Sequence, residues 1–158
     1  MIFDKNEILN LLENVFDPEI PVLNIVEMGI VLDVIKNDNE IEIKITHTYS
    51  GCPAMKTIED EILDILSSEG INNAKIKKVY SPAWTTDWLS EETKEKLRVY
   101  GIAPPEGKSN DNILLKKTLC PYCKSDNTKL TSEFGSTSCK SLHYCNNCVQ
   151  PFEQFKCI

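Results

Sequence analysis

At 158 residues and a net charge of -7, the chain has room for one modest core and a small appendage. Hydrophobic content of 41% and charged content of 26% are ordinary for a globular protein and speak against global disorder. No apolar run approaches the roughly 20 residues of a membrane-spanning helix, and no basic segment leads into an apolar signal core at the N-terminus, so a cytoplasmic protein without membrane contact is expected.

From Lys5 to Phe16 the apolar residues Ile8, Leu9, Leu11, Leu12, Val15 and Phe16 form a helical stripe, with Asp4 as its expected N-cap. Pro18 disfavours helical geometry at Asp17 and is expected to end the helix there. Asp17-Pro18-Glu19-Ile20-Pro21 then reads as a rigid turn carrying two carboxylates, for which a solvated surface role is the simplest expectation. The run Ile30 to Ile35 is mostly apolar, and Ile41, Ile43 and Ile45 alternate with Glu42, Lys44 and Thr46, the period of a strand with one buried face. Lys36-Asn37-Asp38-Asn39 predicts the hairpin turn between them.

After the stretch Thr46-His47-Thr48-Tyr49-Ser50-Gly51-Cys52-Pro53, the residues Met55, Ile58, Ile62, Ile65 and Leu66 predict a second helix that Gly70 stops. Ala74, Ile76 and Val79, with Lys75 and Lys77 between them, predict a third strand. Trp84 and Trp88 follow, a pair expected to plug the core. Ser90 caps a last helix with Glu91 and Glu92 in its first turn and Gly101 at its end. Residues 103–117 lack apolar periodicity and read as a linker between an α+β domain over 1–102, with helices packed on a small sheet of about three strands, and a compact module over 118–158.

That module holds six of the seven cysteines. Residues 1–112 carry 11 basic and 21 acidic side chains, whereas 113–158 carry 6 and 3, so two electrostatic bodies are joined. Four thiolates on a divalent ion would bring the module close to neutral, and no nucleic-acid footprint is expected. Cys120-Pro121-Tyr122-Cys123 and Cys145-Asn146-Asn147-Cys148 are two CxxC pairs with 21 residues between them. Two such turns facing each other complete a tetrahedral site with no open position, the pattern of a structural Zn2+ ribbon. A module of about 45 residues buries too little apolar surface to fold securely alone, and metal binding supplies the deficit. Iron also accepts four thiolates. Cys139 and Cys157 are further thiols that compete for the ligand set. His143, two residues before Cys145, is expected to be an exposed polar residue.

Cys52 stands alone in the first hundred residues. Pro53 suits the first position of a helix, which makes Cys52 a candidate N-cap whose thiol pKa the helix dipole can lower. A thiolate there could act as a nucleophile or hold iron or a cluster transiently; a small buried apolar residue at a strand-to-helix corner is the structural alternative. Asp17 and Glu19 could face it if their turn packs beside this loop. His47, at a strand end, is expected to be structural. No Walker A loop, dinucleotide-binding glycine pattern or HExxH motif is present, which leaves nucleotide hydrolysis, hydride transfer and zincin chemistry without support.

With Asp17-Pro18-Glu19-Ile20-Pro21, Met28-Gly29-Ile30-Val31, Tyr49-Ser50-Gly51-Cys52-Pro53 and Ser81-Pro82-Ala83-Trp84-Thr85 in order, residues 1 to about 105 resemble the α+β domain shared by iron-sulfur assembly factors and SufT-like proteins. The Trp84–Trp88 segment, Tyr100–Pro105, and the tail segments Glu133–Lys140 and Pro151–Cys157 extend the resemblance to the PaaD (PaaJ) family, the D component associated with phenylacetyl-CoA epoxidase. The resemblance implies a non-catalytic accessory of aerobic phenylacetate breakdown that matures iron or iron-sulfur centres, with epoxidase subunits or iron-sulfur carriers as partners. It carries over Cys52, in the Gly-Cys-Pro motif, with Asp17 and Glu19, in the Asp-Pro-Glu turn, as the residues that handle transient iron or cluster. Pro82-Ala83-Trp84 departs from the usual Pro-Pro-Trp and Met28-Gly29 from Leu-Gly, neither at a candidate ligand. A scaffold of the oxygenase complex, or a thiol oxidoreductase pairing Cys52 with Cys139 or Cys157, are the alternative expectations.

Overall fold

A computed structural model describes residues 3–49, 51–107 and 117–156. The chain divides into two compact units, Met1–Trp84 and Thr85–Ile158. Among the described residues no helix is long and apolar enough to cross a membrane.

The first unit opens with helix α1, Lys5–Leu12. Asp4 caps it as expected, and Glu7 closes a capping box: the Glu7 N–H donates to Asp4 Oδ1 at 2.8 Å while the Asp4 N–H donates to Glu7 Oε2 at 2.7 Å. The helix is shorter than its apolar stripe. The Asn14 side-chain amide donates to the carbonyls of Asn10 and Leu11, satisfying the last turn, so Val15 and Phe16 leave the helix before Pro18 is reached. Phe16–Asp17 becomes strand β1, antiparallel to β2, Ile20–Asn24.

Strand β3, Val31–Asn37, turns through Asp38 and Asn39 into β4, Glu40–Ile45, where Ile41, Ile43 and Ile45 are buried as the alternation predicts. Helix α2, Ala54–Ser68, crosses back to β5, Ala74–Lys78, which lies parallel to β4, giving the order β3-β4-β5. The three-stranded sheet of the sequence expectation is therefore present, with the β1-β2 pair beside it in the same unit. Ile58, Ile62 and Leu66 are fully buried along one face of α2, which Gly70, at φ +84, ends. Of the tryptophan pair only Trp84 plugs this core: it is 4% exposed, and its Nε1–H donates to the Met28 carbonyl at 2.7 Å. Trp88 is 38% exposed, in a 3-10 turn at Thr86–Trp88.

The second unit holds helix α3, Glu91–Tyr100, capped by Ser90 as expected and closed by Gly101 in the left-handed region. Strand β6, Ile102–Ala103, pairs in parallel with β9, Gln150–Phe155. With β7, Thr128–Ser132, and β8, Lys140–Cys145, they form a sheet of order β6-β9-β8-β7. The start of the expected linker is thus built into this sheet: Ala103 is 1% exposed, Pro104 and Pro105 are buried, and the Gln154 side-chain amide donates to the Pro104 carbonyl at 3.3 Å. The boundary expected at 102 falls inside the second unit for that reason. Residues 108–116 of the linker lie outside the described residues.

Candidate functional site

Two thiol sites occur, one in each unit. In the first, β4 ends at Ile45 and the chain runs through Thr46 and Thr48, both buried, before turning at Gly51, whose φ of +76 suits glycine. The Cys52 N–H donates to the Tyr49 carbonyl at 3.3 Å, and the Met55 N–H donates to the Cys52 carbonyl at 3.4 Å. Pro53 itself occupies the N-cap position of α2, in helical geometry, so Cys52 sits one residue further out than expected. Cys52 is 8% exposed.

Burial is the dominant influence on this thiol and raises its pKa; the Ala54 backbone N–H opposes that, the Glu19 carboxylate reinforces it, and hydrogen bonds with Thr48 and Tyr49 oppose it more weakly. The depression expected from the helix dipole is therefore corrected. Desolvation outweighs the backbone donors, and the resting group is a protonated thiol.

Glu19, half-buried, is brought near Cys52 by the turn it belongs to, and the Tyr49 hydroxyl reaches Glu19 Oε2 at 3.5 Å. Asp17 has a different place. It is 3% exposed, not solvated, and its Oδ1 accepts from the Glu19 N–H at 2.7 Å and the Ile20 N–H at 3.2 Å, so it shapes the turn that presents Glu19. Thr48 and Tyr49 were not assigned roles from sequence. The strand period continued past Ile45 puts His47 and Tyr49 on the isoleucine face, so the burial of Thr46 and Thr48 breaks the alternation and no periodic signal would have found Thr48. His47 packs edge-on to Tyr80 at 5.4 Å, and its Nε2 is buried with no hydrogen-bond partner among the described residues.

In the second unit Cys120, Cys123, Cys145 and Cys148 converge, with all four sulfurs within 4.8 Å of one another. Cys120 and Cys148 are 3.6 Å apart, as are Cys123 and Cys145. A tetrahedral site with metal-sulfur bonds of about 2.3 Å has sulfur-sulfur edges of about 3.8 Å, so the four fit a single metal ion. The two turns are alike. Each places the residue after its second cysteine at positive φ, Lys124 at +61 and Val149 at +60. The Lys124 N–H donates to the Cys120 carbonyl at 2.9 Å, and the Asn146 backbone and side-chain amides donate to Asn127 O and Oδ1 at 2.9 and 3.1 Å. Ala103, Cys120, Cys145 and Phe152 form a small apolar floor under the site.

Exposure is graded across the ligands: Cys145 is 0% and Cys120 1% exposed, Cys148 is half-buried, and Cys123 is exposed. The Asn147 side-chain amide, then the Ser125 backbone N–H, hold the Cys123 thiol down to about 6. Burial, then hydrogen bonds to the neighbouring thiols, pushes Cys148 up to about 12. Cys123 is thus the readier thiolate of these two, and a cation bound among the four sulfurs would offset the charge that their ionisation brings together. Cys139 is buried beside Thr137, 3.1 Å from its Oγ1, and is not among the four. Cys157 lies outside the described residues. His143 is buried, not exposed as expected: its ring stacks on Phe152 at 5.4 Å and its Nε2 bonds Ser141 Oγ at 2.9 Å.

Two protein families match the chain: one described as PaaD zinc beta ribbon domain over residues 106–156, the other as iron-sulfur cluster assembly protein over residues 5–77. An Escherichia coli (strain K12) protein, named as the D component of a "Putative 1,2-phenylacetyl-CoA epoxidase", is 44% identical over 97% of this chain and 93% of its own length. A Porphyromonas gingivalis protein named Fe-S protein maturation auxiliary factor is 34% identical over 59% of this chain and 90% of its own. The crystal structure of a DUF59 domain from Bacillus anthracis aligns with a TM-score of 0.55 at 31% identity, covering 59% of this chain and 90% of that one. The last two cover little more than half of the chain, whereas the E. coli protein, at 97%, spans both units. An iron-sulfur assembly domain followed by a four-cysteine ribbon, matched nearly end to end, places this chain in the PaaD family, that of the phenylacetyl-CoA epoxidase D component.

Proposed function

We propose that this protein is a non-catalytic accessory of aerobic phenylacetate degradation, working in the cytoplasm to assemble or insert the iron or iron-sulfur centres of a phenylacetyl-CoA epoxidase. The observation that carries the reading is the match of residues 5–77 to an iron-sulfur cluster assembly family, in a unit where the buried Cys52 thiol feels the Glu19 charge. A soft sulfur and a hard oxygen held by two separate loops suit a cationic iron species that is received and passed on.

Cys52, Glu19 and, through the turn it builds, Asp17 are the residues assigned to this cargo. At rest the thiol keeps its proton, because burial and the Glu19 charge both disfavour a thiolate. An arriving cation reverses that balance: its positive charge stabilises the thiolate, the proton is released, and the carboxylate that opposed ionisation now shares the load. A weakly ionised thiol also limits off-pathway oxidation, and it disfavours the oxidoreductase alternative, which needs a ready thiolate. In the second unit Cys120, Cys123, Cys145 and Cys148 are the residues that would hold Zn2+, which supplies folding free energy to the ribbon and no reaction chemistry. The epoxidase subunits, or an iron-sulfur carrier, are the partners of this reading.

A scaffold role is the second reading, favoured by the 8% exposure of Cys52. Replacement of Cys52 by Ser in cells separates the two. On the maturation reading the epoxidase loses iron content and activity while its subunits still associate. Full iron content with Cys52→Ser, together with a complex that falls apart when the chain is deleted, would overturn maturation in favour of the scaffold.

A further inference from the structure

The four ligands of the ribbon site are not equivalent. Cys120 and Cys145 lie on the apolar floor with Phe152 and Ala103, Cys148 packs against it, and Cys123 alone among the four is exposed. The Asn147 Nδ2 lies 3.6 Å from Cys123 Sγ, reaching it from the opposite CxxC turn. The adjacent Asn146 is occupied elsewhere, with both its backbone and side-chain amides on Asn127. The two asparagines of Cys145-Asn146-Asn147-Cys148 thus divide the work: one ties the turn to the neighbouring loop, and the other faces a ligand sulfur.

An N–H bond to a thiolate draws charge off the sulfur, lowers its basicity and slows its capture by a proton or an electrophile. A bond from the opposite turn also has to break before the first turn can swing away.

Building on the metal-ribbon reading, we propose that Asn147 is the latch of the site and that the site opens at Cys123, so that ions enter and leave through this one ligand, held by an amide from the other turn. Removal of the latch leaves the buried ligands and the apolar floor as they are. It changes the rate of opening more than the fold.

The test uses the full chain loaded with one equivalent of zinc. Transfer to the chromophoric chelator 4-(2-pyridylazo)resorcinol is timed for the wild type, Asn147→Leu, which keeps the volume and loses the donor, and Asn146→Leu. The expected result is release about fivefold faster for Asn147→Leu, the size of one modest hydrogen bond, with a shifted sulfur-to-metal charge-transfer band after cobalt substitution. Asn146→Leu should leave that band in place. Limited iodoacetamide treatment of the loaded wild type, read by mass spectrometry, should label Cys123 before the other three. Equal release rates and an unchanged cobalt band for Asn147→Leu overturn the latch, and first labelling at Cys148, Cys120 or Cys145 overturns the order of opening. A wild type that takes up no zinc or cobalt overturns the ribbon reading itself, a result distinct from both.

Discussion

The sharpest test of how the ribbon is built concerns Val149, a β-branched residue held at φ +60 directly after the last cysteine of the site. An L-residue in the left-handed region costs roughly 1–2 kcal/mol, and β-branching puts valine at the upper end. Val149→Gly removes that cost. Against it stand about 0.5–1 kcal/mol of extra glycine entropy lost on folding and the burial of a side chain that is 64% exposed, worth about 0.5 kcal/mol. The balance is a gain of roughly 0.5–1 kcal/mol, a two- to fivefold tighter metal site if folding and binding are coupled. Chelator competition at fixed pH measures it, with Val149→Ala as the control, since alanine keeps the positive φ and loses the contacts. Lys124→Gly, at the equivalent position of the first turn, should act in the same direction by less, because lysine is unbranched. A Val149→Gly protein that binds metal no more tightly than Val149→Ala would refute the account of strain at the turn.

The direction of the Cys52 shift has a pH signature. A thiol raised in the folded state stabilises fully below the unfolded thiol pKa of roughly 8.5 and loses that contribution as pH rises through the folded value; alkylation of Cys52 should therefore have its midpoint above that of an unfolded-chain thiol, and Glu19→Gln should lower it. A midpoint below it, read by mass spectrometry, would contradict the dominance of burial. Metal removal by chelation of the full chain should strip hydrogen-exchange protection from β8 and β9, whose Cys145 and flanking turns form the site, and leave β3, β4 and β5 protected. Equal loss in both sheets would show that the metal stabilises more than the ribbon.

Much of the fold was legible because its signals are local and periodic. The alternation Ile41-Ile43-Ile45 and the spacing Ile58-Ile62-Leu66 each fix a face without reference to the rest of the chain. Where sequence fell short, a contact distant in the chain or a side-chain cap decided. Helix α1 stops early because the Asn14 amide takes the carbonyls of Asn10 and Leu11, an interaction that a hydrophobic stripe cannot register. Ala103 looks like linker until β9, some fifty residues later, supplies its partner. At the thiol, proximity to a helix start was legible, but the depth of burial that reverses its effect was not, because it depends on how Thr48, Tyr49 and the Glu19 turn close around Cys52.

The four-cysteine cluster and Cys52 differ in what they would offer a metal ion. Four converging sulfurs offer a soft ion a complete shell, and each proton lost there is compensated by a share of one divalent charge. Cys52 offers one sulfur that starts protonated, beside one carboxylate, and must give up its proton for a partial shell. A free soft ion at equilibrium therefore fills the ribbon first, and by a wide margin, since each added thiolate ligand compounds the preference. On the proposed reading this ordering protects the maturation site: Cys52 stays open for a cargo that brings its own remaining ligands, such as sulfide or a partner's thiolate, and is poor at trapping a bare ion. The burial that raises the Cys52 thiol is then part of its selectivity, and the ribbon, by taking zinc first, helps to keep that site free.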